Sequence, residues 1–135
     1  MIRYKKEVNV MINYIAKITN YVNNQDEAKQ FWTEKMGFVC HEQPMGPNFK
    51  WMEVKPNEKT STSFVIYEKQ LMKVQNPNMS VEHPNVILST SSIETVYNKL
   101  KENEVEVGPL QEMPYGKMFS FKDQDGNNYL LREDN

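Results

Sequence analysis

Residues 15–22 mix apolar and polar positions in the manner of a half-buried strand, and the spacing changes at once afterwards. Ala28, Phe31, Trp32 and Met36 recur at helical intervals, and Asn24 or Asp26 stands where an N-cap is needed. Gly37 follows the last apolar residue as a helix-ending glycine would, so the pattern predicts a helix over 26–36. Three more strand candidates follow at 38–43, 49–54 and 62–67, separated by turn-forming residues at 44–48 and 55–58. The first half reads β-α-β-β-β.

The second half reads the same way. Residues 85–89 form a strand, and Ser91 or Ser92 caps a helix over 92–103 with Glu94 in its first turn. Ile93, Val96, Tyr97 and Leu100 make the apolar stripe of that helix. Strands at 105–107, 111–121 and 129–132 complete the half, and Gly126 after Asp125 supplies the positive φ that a tight hairpin needs. Between the halves, 69–83 reads as a short helix and then a linker. The expected fold is α+β, with module one over 11–68 and module two over 84–135. Each helix covers one face of a curved antiparallel sheet, and open edges oblige the modules to pair, within the chain or with a second copy. Residues 1–10 are expected to be an N-terminal extension outside the core.

Composition narrows the function. A 135-residue chain with 39% hydrophobic and 25% charged residues is long enough for a real core. Net charge −2 gives no basic footprint for nucleic acid, and no apolar run is long enough for a membrane span. Cys40 is the only cysteine, which excludes an internal disulfide and points to a cytoplasmic protein. His41 lies between Cys40 and Glu42 on a strand, so its side chain diverges from both and a Cys-His dyad is not expected. His83 falls in the linker.

Two segments carry a resemblance. The first is the opening strand with Asn24-Gln25-Asp26-Glu27-Ala28-Lys29-Gln30-Phe31-Trp32 through Met36-Gly37-Phe38. The second is Gly116-Lys117-Met118-Phe119-Ser120-Phe121 running into Asp123-Gln124-Asp125-Gly126-Asn127. Together they resemble the vicinal-oxygen-chelate superfamily of glyoxalase I, bleomycin-resistance proteins and extradiol dioxygenases. The resemblance implies two βαβββ modules forming an incomplete antiparallel barrel around a cleft. In metal-dependent relatives His, Glu and sometimes Gln ligate a divalent ion there. The corresponding positions in this chain are Lys17, Ile66, Asn85 and Leu130, which do not suit such an ion, so neither metal nor other cofactor is expected.

What remains is the cleft. Alternate positions place Lys17, Thr19 and Tyr21 on its first strand and Phe64 and Ile66 on its fourth. Asn85, Ile87 and Ser89 would line it from the fifth strand, with Asn128 and Leu130 from the last and Met118 and Ser120 from the seventh. The third strand contributes either Trp51 and Glu53 or Met52 and Val54. The expected ligand contacts are Lys17, Tyr21, Trp51, Glu53, Ile66, Asn85 and Leu130. Trp51 with Glu53 and Glu42 would receive a planar, partly cationic molecule, whereas Trp32 reads as core. The function expected is metal-independent binding of a small organic molecule, an antibiotic or metabolite, by a homodimer. The alternative is a lyase, isomerase or transferase of the glyoxalase type that uses Lys17 or a carboxylate in place of a metal centre.

Overall fold

The computed structural model describes residues 11–135, so the expected extension at 1–10 lies outside the described residues. Module one runs β1 (Lys17–Val22), α1 (Gln25–Gln30), β2 (Val39–Pro44), β3 (Lys50–Lys55) and β4 (Ser63–Glu68). A short helix, α2 (Lys69–Gln75), leads into the linker. Module two runs β5 (Ile87–Ser89), α3 (Ile93–Glu102), β6 (Gln111–Met113), β7 (Gly116–Lys122) and β8 (Asn128–Asp134). The two sheets have matching strand orders, β1-β4-β3-β2 and β5-β8-β7-β6. Neither sheet is purely antiparallel: β1 runs parallel to β4, and β5 parallel to β8.

The first helix is shaped by its ends and by its aromatics. Asn24 Oδ1 accepts the Glu27 amide at 2.9 Å, satisfying one of the otherwise orphaned N–H groups. The helix does not stay α-helical to Met36. It widens into a π-turn at Phe31–Lys35, and the extra residue in that turn lets the consecutive Phe31 and Trp32 both turn inward. Gly37, at φ 73°, then ends it.

Two strand expectations need correction. Residues 111–121 are not one strand but a hairpin, β6–β7, that turns at Pro114-Tyr115. At Gly116 a Cβ would meet the Glu133 carbonyl oxygen at 2.1 Å, so the sheet closes there only around a glycine. Residues 105–107 form no strand beyond an isolated bridge from Val107 to Phe121.

The core lies between the modules. Val22, Met52, Val54, Phe64 and Ile66 sit on the α1 side of the first sheet, and Phe119, Phe121, Tyr129 and Leu131 on the α3 side of the second. Trp32 joins the two sets, with ring centroids 5.2 Å from Phe64, 5.2 Å from Tyr129 and 6.5 Å from Phe121. A buried polar chain spans the same seam. Asn20 Nδ2 donates to Tyr129 Oη at 2.7 Å, and that hydroxyl donates to Asp123 Oδ2 at 2.7 Å. Burial, reinforced by the Asp123 charge, pushes the Tyr129 phenol far above its ordinary pKa. His83 docks its ring against Tyr129, with Nδ1 3.1 Å from Asn20 Oδ1. The linker is thus pinned to both modules.

Candidate functional site

With α1 on one side of the first sheet, the strand period of two decides which side chains share the other. On β1 these are Lys17, Thr19 and Tyr21. The register sets Ser63, Val65 and Tyr67 of β4 beside them, and Glu53 of β3 opposite Val65. Trp51 therefore shares this face, which resolves the third strand in favour of Trp51 and Glu53 over Met52 and Val54. Phe49, two residues before Trp51, joins Tyr67 with ring centroids 5.3 Å apart, and Tyr67 meets Tyr21 edge-on at 6.3 Å. The face has an aromatic end and a polar end.

Glu53 organises the polar end. Lys17 Nζ lies 2.6 Å from its Oε1, and Ser63 Oγ donates to the same oxygen at 2.7 Å. The Trp51 indole N–H donates to Oε2 at 2.6 Å. Burial alone would raise the pKa of this carboxyl. The hydrogen bonds from Lys17, Trp51 and Ser63 outweigh burial and bring it down to about 2. The carboxylate is therefore ionised and held on both oxygens, and it fixes the Trp51 ring in turn. An indole clamped by its N–H is a flat apolar platform whose orientation is already set before anything binds.

The seven expected ligand contacts divide three ways. Lys17, Tyr21, Trp51 and Glu53 come together on this face, although Tyr21 is only 9% exposed against its aromatic neighbours. Ile66 does not join them. It lies on the α1 side, fully buried, as does Phe64, because the β1–β4 register turns Ser63, Val65 and Tyr67 to the open side. Asn85 and Leu130 belong to module two. Asn85 is exposed just ahead of β5, and Leu130 sits on β8 opposite Ile87 and Ser120, on the side away from α3. Glu42 also faces α1, where it pairs with Lys29 at 3.2 Å, and cannot serve a ligand beside Trp51.

Three residues of the site escaped sequence reasoning: Ser63, Tyr67 and Phe49. β4 is buried on both faces along most of its length, so it shows no apolar alternation from which to read a phase. Only its pairing with β1 assigns the sides.

The face does not fit a metal ion. Of the positions that match the relatives' metal ligands only Lys17 lies on it, and its ammonium is a cation already bound to Glu53. Among the described residues no three His, Cys, Asp or Glu side chains converge as a ligand set. His41, the histidine opposite Glu53, pairs instead with Glu58 at 2.9 Å in an exposed position. The face is also open. Hollows occur elsewhere, as a groove of about 580 Å³ beside α1 and the β7–β8 turn and a cavity of about 350 Å³ at the seam between modules.

Paired four-stranded sheets, each backed by one helix, with an open aromatic face, define a βαβββ repeat protein built for a cleft. Comparison with known proteins agrees. The model of the Glyoxalase/Bleomycin resistance protein/Dioxygenase superfamily matches residues 12–130, and the chain belongs to that superfamily. It is 40% identical over 125 residues to the uncharacterized protein YetH of Bacillus subtilis (strain 168), covering 91% of this chain and all of YetH. Among solved structures it resembles TnmS3, an antibiotic binding protein from Streptomyces sp. CB03234, with TM-score 0.77 and 25% identity over 94% of this chain and 100% of that one. A glyoxalase/bleomycin resistance protein from the same Streptomyces strain matches with TM-score 0.70 and 27% identity, over 88% of this chain and 99% of that one. No helix among the described residues is long and apolar enough to cross a membrane.

Proposed function

We propose that this protein binds a small organic molecule with a flat aromatic part, without a metal, by stacking it on Trp51 in a cleft whose first wall is the β1-β4-β3 face. The observation that carries this is the clamp: a buried-edge carboxylate, Glu53, held by three donors, one of which is the Trp51 indole. The likeness to TnmS3, itself an antibiotic binding protein, supports the same reading. Lys17 neutralises Glu53 within the chain, so the ligand need not be cationic. The ion pair also engages the amine that a metal-free lyase or isomerase would use, and for that reason binding is proposed rather than chemistry.

The second wall comes from a second copy. Within one chain the modules meet through their helix-covered sides, which leaves the Trp51 face and the Leu130 face both unfilled. A two-fold dimer that apposes the Trp51 face of one copy and the Leu130 face of the other closes two equivalent clefts. The test is a thermal-shift and fluorescence screen of planar aromatic antibiotics and metabolites, with elemental analysis of protein purified without chelator. A ligand that raises the melting temperature of wild-type protein, but not of Trp51→Ala, is the expected result. Stoichiometric metal at Lys17, or binding indifferent to Trp51, would sink the proposal.

A further inference from the structure

The modules do not close fully on each other at the start of β1. A cavity of about 350 Å³ remains there, walled by Ile18, Phe38, Val54 and Phe64 of module one and Val86 and Leu88 of module two. Val54 and Phe64 belong to the core cluster, and the other four pack against it. The strand period puts these side chains on the α1 and α3 sides of the sheets, away from Trp51 and Leu130. Most of the cavity thus lies across the sheets from Trp51 and Leu130, and it touches the faces of the cleft proposed above only through Ser63 and Ile87.

Its chemistry is uniform. None of the residues that line it carries an ionisable side chain. Its rim is a run of hydroxyls, residues 60–63, three of which are already engaged. Thr60 donates to the Asn57 carbonyl oxygen, Thr62 to that of Ile15, and Ser63 to Glu53. Ser61 supplies the remaining one.

We infer that this seam cavity is a second binding site, which takes an uncharged, compact, hydrocarbon-rich molecule bearing one hydroxyl or carbonyl group directed at Ser61. Two physical arguments select that class. A charged ligand would give up its hydration against walls that offer no counter-charge, a cost no contact here offsets. An apolar ligand removes the still exposed parts of Ile18, Phe38, Val86 and Leu88 from water, in a volume within the range of small-molecule sites. Because the walls come from both modules, an occupant ties β1 and β4 to β5.

The probe is 2-naphthol, with 2-naphthalenesulfonate as the charged molecule of the same ring, titrated into 15N-labelled protein and followed by amide shifts. The Trp51→Ala background removes stacking on the open face. The expected result is saturable shifts centred on Val54, Phe64, Val86 and Leu88 with the naphthol, and about tenfold weaker binding of the sulfonate. Val86→Phe, checked for a native spectrum, fills the cavity and should abolish those shifts. Ser61→Ala, an exposed change that leaves the fold alone, should weaken the naphthol while leaving plain naphthalene unaffected. Absence of saturable shifts at millimolar naphthol, equal binding of the sulfonate, or shifts confined to the Lys17–Glu53 face would overturn the inference. So would binding that weakens as protein concentration rises with shifts at residues 11–15, since a second copy's exposed Met11, Ile12 and Ile15 would then be the occupant.

Discussion

Trp32→Ala is the substitution that tests the architecture most directly. The side chain has no exposed surface, and its ring centroid lies 4.9 to 6.5 Å from those of Phe31, Phe38, Phe64, Phe121 and Tyr129. Truncating a buried tryptophan costs about 3–5 kcal/mol, the larger values where the surroundings cannot collapse into the space. Here the surrounding rings belong to two modules and are held by two separate sheets, which argues for the upper half of that range. One feature works the other way. The Trp32 indole N–H is buried without a partner, and removing such a group returns roughly 1 kcal/mol. The net expectation is about 3–4 kcal/mol. Trp51→Ala removes a partly exposed ring and one charge-assisted hydrogen bond to Glu53, for which about 1–2 kcal/mol is expected. Both are measured by urea unfolding followed by far-ultraviolet circular dichroism, because each mutant lacks a different one of the two tryptophans and their fluorescence signals are not comparable. A Trp32→Ala loss below that of Trp51→Ala would refute the placement of the core at the module seam.

Glu53 makes stability depend on acid. Its folded pKa of about 2 lies below the ordinary 4.5, so its contribution is full above pH 4.5 and is lost as pH falls from there toward 2. Wild-type protein should therefore lose stability over that window more steeply than Glu53→Gln, and equal slopes would show that the clamp contributes nothing. Tyr129→Phe leaves the Asn20 amide and the Asp123 carboxylate each short of a buried partner, with an expected loss of about 1–3 kcal/mol in the same urea assay. A loss under about 0.5 kcal/mol would mean the polar chain does not hold the modules together. Light scattering at micromolar concentration should return twice the 15.9 kDa chain mass, and the monomer mass would count against a cleft shared between copies.

The fold was legible wherever local chemistry acts alone. Helical spacing, the Asn24 cap, and glycines at the positive-φ positions 37 and 126 announce both modules without any knowledge of their partners. What sequence could not supply was anything set by pairing. The phase of β4 depends on β1, 46 residues away at the Lys17–Ser63 pair (63 − 17), and its own residues are buried on both sides. The β6–β7 hairpin hides inside a run of alternating residues, where Pro114, two residues before the close-approach Gly116, is the local mark of its turn. His83 looks like any linker residue until the Tyr129 ring, 4.8 Å away, gives it a seat.

The same distinction applies to the charges of the open face. At the β1 position where metal-dependent relatives carry a ligand, this chain carries Lys17, and Lys17 binds Glu53 of its own sheet. A metal ligand would have to attract a mobile cation from solution, whereas a lysine is a cation that folding itself delivers. Glu53 then orders Trp51 and Ser63 around that charge, so these side chains take their places when the sheet forms. A face arranged in this way has already satisfied its charges internally. Its power to select a ligand must then come from the shape and aromatic surface of Trp51, Phe49 and Tyr67, and under the proposed reading a flat molecule is preferred over a charged one.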